Sequence, residues 1–283
     1  MDNQQIVDLS LPIDDEAYEV HPLRIERTTH AQGVEKLNQV MLSRQPFGKL
    51  KYLLGKRIVK KEDLPEEEFL SLEMVYSSVH SGTHLDYSYH YGSKCEGRDS
   101  KPAEDIPLWL CYQNGVKLDF CAKKPDEFIS AKDVETALEK INYQLKPNDI
   151  VLFYTGSDKL FTTQKYFTHY PGVDPTAIDY LLDRGIKIFG VDTMGIDRPY
   201  RFMMKEFLDT GNACALWPAH FHGRKREFIH IERLANLSSL PDYGFKIMCF
   251  PVKIKRTGAA WARVVALVGS EAPAKGGTNS DRR

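Results

Sequence analysis

Residues 150 to 191 carry the pattern that most narrows the choice of fold. Ile150–Tyr154 and Ile186–Val191 are short apolar runs, rich in β-branched and aromatic residues and too short for typical helices. They predict buried strands. Between them Asp174 offers an N-cap, Pro175 a first helical residue, Ile178, Leu181 and Leu182 an apolar stripe, and Gly185 a stop. Strand, helix, strand in that order predicts a right-handed parallel crossover. A second helix opens at Ser130, with Asp133 three residues on, and continues through Val134, Ala137, Leu138 and Ile141. Met74–Val79 is strand-like, and further strands are expected at Val116–Phe120, Phe245–Lys255 and Trp261–Val268. The expectation is an α/β fold with a mixed sheet, forming one domain over residues 1–268. Residues 269–283 are small, polar and charged and are expected to form a disordered tail.

Composition excludes more than it suggests. The net charge is −1 over 283 residues, which gives no field to attract nucleic acid or an anionic membrane. No apolar run approaches the roughly 18 residues needed to span a bilayer, and the first ten residues lack the basic-then-apolar pattern of a secretory signal. The five cysteines are widely spaced with no C-x-x-C, so reduced buried thiols are expected in a cytoplasmic protein.

Chemistry concentrates at residues 80–90, His-Ser-Gly-Thr-His-Leu-Asp-Tyr-Ser-Tyr-His. If the segment is extended, His80, His84, Asp86 and His90 share parity and point to one side, with Tyr87, Tyr89 and Tyr91 facing away. A helical alternative would put His80 and His84 on one face, but Ser81-Gly82-Thr83 is poor helix material. Either geometry gathers nitrogen and oxygen donors suited to zinc or manganese. A second, weaker cluster comprises His220, His222, His230 and Glu232, where His222 and His230 are read as candidates for plain strand-edge residues. Arg224-Lys225-Arg226 is read as a solvated turn, with a substrate carboxylate as the alternative partner.

The run from His80 to His90 resembles the H-x-G-T-H-x-D-x-P-x-H signature of the cyclase family of metal-dependent hydrolases, which includes kynurenine formamidases and isatin hydrolases. Asp8-Leu9-Ser10 resembles the family's opening D-[LI]-S, and Tyr154-Thr155-Gly156 its strand-end T-G. Gly190-Val191-Asp192-Thr193 with Asp197 is similar to its G-[IV]-D-x-x-S-x-D stretch, and Leu234-Ala235-Asn236-Leu237 to the segment after its glutamate. The resemblance implies a swivelling β/α/β fold, a homo-oligomer and a small-molecule substrate. It implies His80, His84 and Asp86 as metal ligands, with His220 and Glu232 completing a site for one or two divalent ions, and His90 as general acid/base. Two positions depart from the pattern: Ser88 replaces the proline and Gly195 the serine.

The implied function is hydrolysis of an amide, formamide, lactam or lactone. Alternatives are cyclisation or dehydration of a polyketide-like chain on the same metal site, and metal-dependent binding without turnover. Formamidase members resemble one another in a Trp soon after D-[LI]-S; here Tyr18 is the only aromatic in that stretch, so N-formylkynurenine is not expected to be the preferred substrate.

Overall fold

The computed structural model describes residues 4–269, so the expected tail lies outside the described residues beyond Gly269. The described chain separates into two compact units, one from residues 4–18 and 79–269, the other Glu19–Ser78. A portion of the span read as one domain thus forms a unit of its own.

The smaller unit pairs Arg24–Thr28 with Leu72–Tyr76 as antiparallel strands and adds a helix, His30–Ser43. The second strand is the strand-like Met74 segment, ending before Val79. Asn38, fully buried on the helix, ties it to the following loop. Its Nδ2 donates to Val34 O and Val59 O (3.0 and 2.8 Å), and its Oδ1 accepts from the Ile58 and Val59 amides (2.7 and 3.0 Å). All four polar contacts of the amide are therefore used, as burial requires.

In the larger unit, nine strands form a mixed sheet in the order Gln5–Asp8, Val265–Val268, Tyr243–Met248, Tyr112–Asp119, Ile150–Tyr154, Ile188–Val191, Ile229–Glu232, His84–Asp86 and Ala259–Trp261. The four strands from Tyr112–Asp119 to Ile229–Glu232 are parallel, as the crossover pattern predicts, and the other pairings are antiparallel. Both expected helices form. Ser130 Oγ accepts from the Asp133 amide while Asp133 caps the Ser130 amide at 2.8 Å, opening Ala131–Lys140. Asp174 caps Pro175–Asp183, and Gly185, at φ +80°, ends the turn. These helices cover one sheet face through Val134, Leu138, Ala177, Ile178 and Leu181, against Val151, Phe153 and Phe189. The opposite face buries Leu85, Ile150, Leu152, Ile229, Ile231 and Ile247.

Two strand expectations need correction. The run expected over Phe245–Lys255 pairs only as Tyr243–Met248; Pro251, without an N–H, cannot extend the ladder. The run expected over Trp261–Val268 is two strands, Ala259–Trp261 and Val265–Val268, seven places apart in the sheet order. Seven flat strand spacings would be roughly 34 Å, whereas the chain from Trp261 to Val265 reaches at most about 14 Å. The sheet must curl until its margins meet. Ser10 bridges to Leu234 and the Ala235 amide donates to Leu9 O (2.9 Å), which closes the curl.

The ends of two central strands are locked by one carboxylate. Asp192, fully buried, accepts from the Thr155 amide (3.0 Å), the Thr155 hydroxyl (2.6 Å) and the Gly156 amide (2.7 Å). Gly156 sits at φ +77°, where a side chain would be strained. Asp192→Ala leaves those buried donors unmatched and is expected to cost about 3 kcal/mol. Urea denaturation measures it, and a loss well under 1 kcal/mol would show that the lock carries no weight.

Candidate metal centre

The centre is assembled by strand register. His84–Asp86 runs antiparallel to Ile229–Glu232 with His230 opposite Asp86, Ile231 opposite Leu85 and Glu232 opposite His84. Because side chains alternate along a strand, Leu85, Ile229 and Ile231 enter the apolar core while His84, Asp86, His230 and Glu232 share the other face. A one-residue slip would exchange the two sets. His84, Asp86 and His230 are wholly buried and Glu232 nearly so.

The remaining histidines come from outside the sheet. His80 lies in the turn before the strand, with Nδ1 3.1 Å from Asp86 Oδ1. His90 stands on a four-residue helix, Ser88–Tyr91, with Nε2 3.7 Å from Asp86 Oδ2. His220 stands on another short helix, Pro218–His222, with Nε2 3.9 Å from Asp86 Oδ2 and 3.7 Å from Glu232 Oε1. The expectation of one extended segment from His80 to His90 is therefore corrected: parity holds for His84 and Asp86 alone, and the flanking histidines are delivered by a turn and a helix.

Three imidazoles share one arrangement. His84 Nδ1 bonds Gly82 O at 2.9 Å, leaving Nε2 3.6 Å from Asp86 and 3.5 Å from Glu232. His220 Nδ1 bonds Asp197 Oδ2 at 2.5 Å, and Asp197 also accepts the Ala219 amide at 2.7 Å, so one carboxylate holds both ring and helix. His230 Nδ1 bonds the Tyr91 hydroxyl at 2.9 Å, while its Nε2 lies 3.2 Å from Asp86 Oδ2 and 2.9 Å from Glu232 Oε1. Anchoring Nδ1 outward aims Nε2 inward, the way a second layer of hydrogen bonds orients metal-binding imidazoles.

The electrostatics call for a cation. Burial works to raise both carboxyl pKa values, but the His84, His80 and His90 imidazoles hold Asp86 well below the carboxylate range. The hydrogen bond from His230 and the neighbouring His84 imidazole do the same for Glu232. Burial disfavours a charged imidazole at His220, yet Asp197 and Asp86 lift its pKa well above the ordinary value. Protons thus stand where positive charge is wanted. Three buried atoms, His84 Nε2 and both Asp86 carboxylate oxygens, receive no hydrogen bond. Orphaned polar atoms this deep are costly unless something else satisfies them, and a mixed nitrogen and carboxylate set fits a divalent cation. Asp86 belongs to two candidate ligand groups, one with His80 and His84, the other with His220, His230 and Glu232.

Every expected residue, His80, His84, Asp86, His90, His220 and Glu232, meets here. His230, read from the sequence as a plain strand-edge candidate, joins them. Its signal was the alternation Ile-His-Ile-Glu, which puts His230 and Glu232 on one strand face. Asp197 was seen only as part of a motif, and its grip on His220 needed the fold. His222 points elsewhere, bonding Asp179 at 2.9 Å. The basic run is likewise structural, with Arg226 pairing with Asp179 and Asp183, and Arg224 Nε donating to Tyr91 O. Tyr91, expected to face away, is buried against His230 because the helix turns it inward.

The fold and this cluster define a class. Residues 7–198 match the model of the family described as "Putative cyclase", and the chain belongs to that family. It is 26 % identical over 208 residues to the isatin hydrolase of Roseibium aggregatum, covering 71 % of this chain and 76 % of that protein. Its fold is similar to an isatin hydrolase bound to the product analogue thioisatinate (TM-score 0.68, 19 % identity, 94 % of this chain and 93 % of that one). It is also similar to isatin hydrolase A from Ralstonia solanacearum (TM-score 0.66, 21 % identity, 94 % and 92 %).

His230→Ala removes one imidazole while leaving the Ile229 and Ile231 packing intact. Bound divalent metal, measured by mass spectrometry after gel filtration, is expected to fall at least tenfold relative to His222→Ala, a scale typical of lost ligands or their supports. Equal metal content in the two variants would remove His230 from the site.

Proposed function

We propose that the protein is a divalent-metal-dependent hydrolase of an amide, lactam, formamide or lactone, with His80, His84, Asp86, His220, His230 and Glu232 as the ligand set and His90 as the acid/base. The observation that carries this reading is the buried, unsatisfied Asp86 carboxylate ringed by inward-aimed imidazoles. Zinc and manganese both suit the donors, and Asp86, common to both ligand groups, offers a bridge if two ions bind. When bound, a divalent ion supplies Lewis acidity towards a carbonyl oxygen and lowers the pKa of water in the site.

The chain's own residues do the rest. Asp86 and Glu232 hold charge in a site from which bulk water is largely shut out. His90 differs from the buried ligands, since about a third of its side chain is exposed, so it can meet a molecule entering from outside. Burial lowers its pKa to about 4, despite the opposing pull of Asp86, so at neutral pH it is an uncharged imidazole. Its ring lies 4.2 Å from that of His80 and 5.2 Å from that of His220. It can take a proton from water and return it to a leaving amine or alkoxide. The isatin hydrolase relatives make a fused lactam the first substrate to test. The stretch after Asp8-Leu9-Ser10 holds no Trp, and its one aromatic, Tyr18, already packs edge-on against Phe167 at 5.2 Å. That supports a lactam over N-formylkynurenine.

His90→Ala is expected to keep the fold and most of the metal while lowering turnover roughly 10²–10⁴-fold. Steady-state rates of metal-replete enzyme on isatin, N-formylkynurenine, aryl amides and lactones provide the comparison. Near-normal rates in the variant would remove His90 from the reaction, and tight metal binding with no turnover of any of these substrates would sink the hydrolase reading.

A further inference from the structure

A second cavity, of about 420 Å³, opens on the other half of the sheet, over strands Tyr112–Asp119, Tyr243–Met248 and Val265–Val268. Strands Ile150–Tyr154 and Ile188–Val191 separate it from Ile229–Glu232, a lateral distance of about 14 Å. It shares no residue with the metal centre. Three tyrosines and two lysines line it: Tyr112, Tyr143, Tyr243, Lys146 and Lys246. We propose that this cavity binds a planar aromatic carboxylate.

Two features of the wall support a built site. The Tyr243–Met248 strand slips register against Tyr112–Asp119 between Tyr243 and Phe245, with Gly244 at φ +87°; such bulges re-aim side chains. The rings of Tyr143 and Tyr243 pack on one another, 5.0 Å apart at 37°, and so fix one side of the wall.

The charges decide the ligand. Asp149, buried behind Tyr143 and Lys146, is already committed to the Tyr143 hydroxyl (2.9 Å), the Lys146 amide (2.8 Å) and Asn114 Nδ2 (3.5 Å). The Lys146 and Lys246 ammonium groups have no carboxylate partner among the described residues, and Lys246 Nζ sits 5.7 Å from the Tyr112 ring centroid. Two cations with no carboxylate partner among the described residues, set beside tyrosine rings, favour an anion on a flat ring. The volume suits a bicyclic molecule of that kind.

The test is a fluorine NMR titration of the metal-replete protein with a fluorinated indole-3-carboxylate. Binding is expected to persist in His84→Ala, which disables the metal centre, and to weaken roughly tenfold in the double variant Lys146→Gln, Lys246→Gln. Both lysines are exposed, so the double variant should fold, and its melting temperature checks this. The matching carboxamide should bind the unaltered protein more weakly by a similar factor. Binding lost in His84→Ala but kept in the lysine variant would assign the probe to the metal centre and overturn the proposal. So would equal affinity for acid and amide, or no binding below millimolar concentration.

Discussion

Two carboxylates, Asp86 and Glu232, are buried on one face of a pair of adjacent antiparallel strands, and the surrounding structure answers that burden. An isolated buried carboxylate costs several kcal/mol even after relaxation. Here the antiparallel register sets each acid opposite an imidazole, Asp86 facing His230 and Glu232 facing His84. Further imidazoles arrive from a turn and two short helices, each bringing a nitrogen to within 4 Å of Asp86. The outer contacts then have a clear purpose. Gly82 O, Asp197 and Tyr91 each take the far nitrogen of a ring and so fix where the near one points.

The curl of the sheet makes that convergence possible. Closing it engages the first residues of the described chain. Leu9 is fully buried, and the Ala235 amide donates to its carbonyl at 2.9 Å. Ser10 Oγ donates to Val264 O, and Arg263 pairs with Asp8 at 2.6 Å. Asn236 Nδ2 donates to Asp8 O at 2.9 Å, which ties the segment after Glu232 to the same seam. The Asp8-Leu9-Ser10 and Leu234–Leu237 motifs are therefore closure elements. They touch no metal ligand directly, but they hold in place the strand that carries His230 and Glu232.

Both departures from the family pattern find a physical account. Ser88 opens the helix that carries His90, at the first helical position, where a proline's fixed φ would be favourable. In its place the buried Ser88 hydroxyl accepts from the Lys101 amide at 2.9 Å, so a hydrogen bond restrains the segment that a ring would otherwise stiffen. At Gly195 a Cβ would lie 3.5 Å from Glu232 Oε1. A serine there would reach the carboxylate; without it, Glu232 Oε1 accepts from the Ile196 amide at 3.1 Å.

Local signals settled much of this protein in advance. Short β-branched runs, the caps at Ser130 and Asp174 and the stop at Gly185 marked the parallel crossover and both helices, because propensity and capping act over a few residues. The density of histidine around Asp86 marked a metal site, since nitrogen and carboxylate donors so concentrated have few other uses. What the sequence could not decide is set by contacts between residues far apart in the chain. Pairing of Ile229–Glu232 with His84–Asp86 spans more than a hundred positions, and only that register made His230 part of the site and sent His222 to Asp179. The split of Trp261–Val268 into two strands follows from closure of the sheet, a global constraint with no local signature. Tyr91 turned inward for the same reason: a residue's parity holds only while its strand continues, and packing, not composition, ended this one at Asp86.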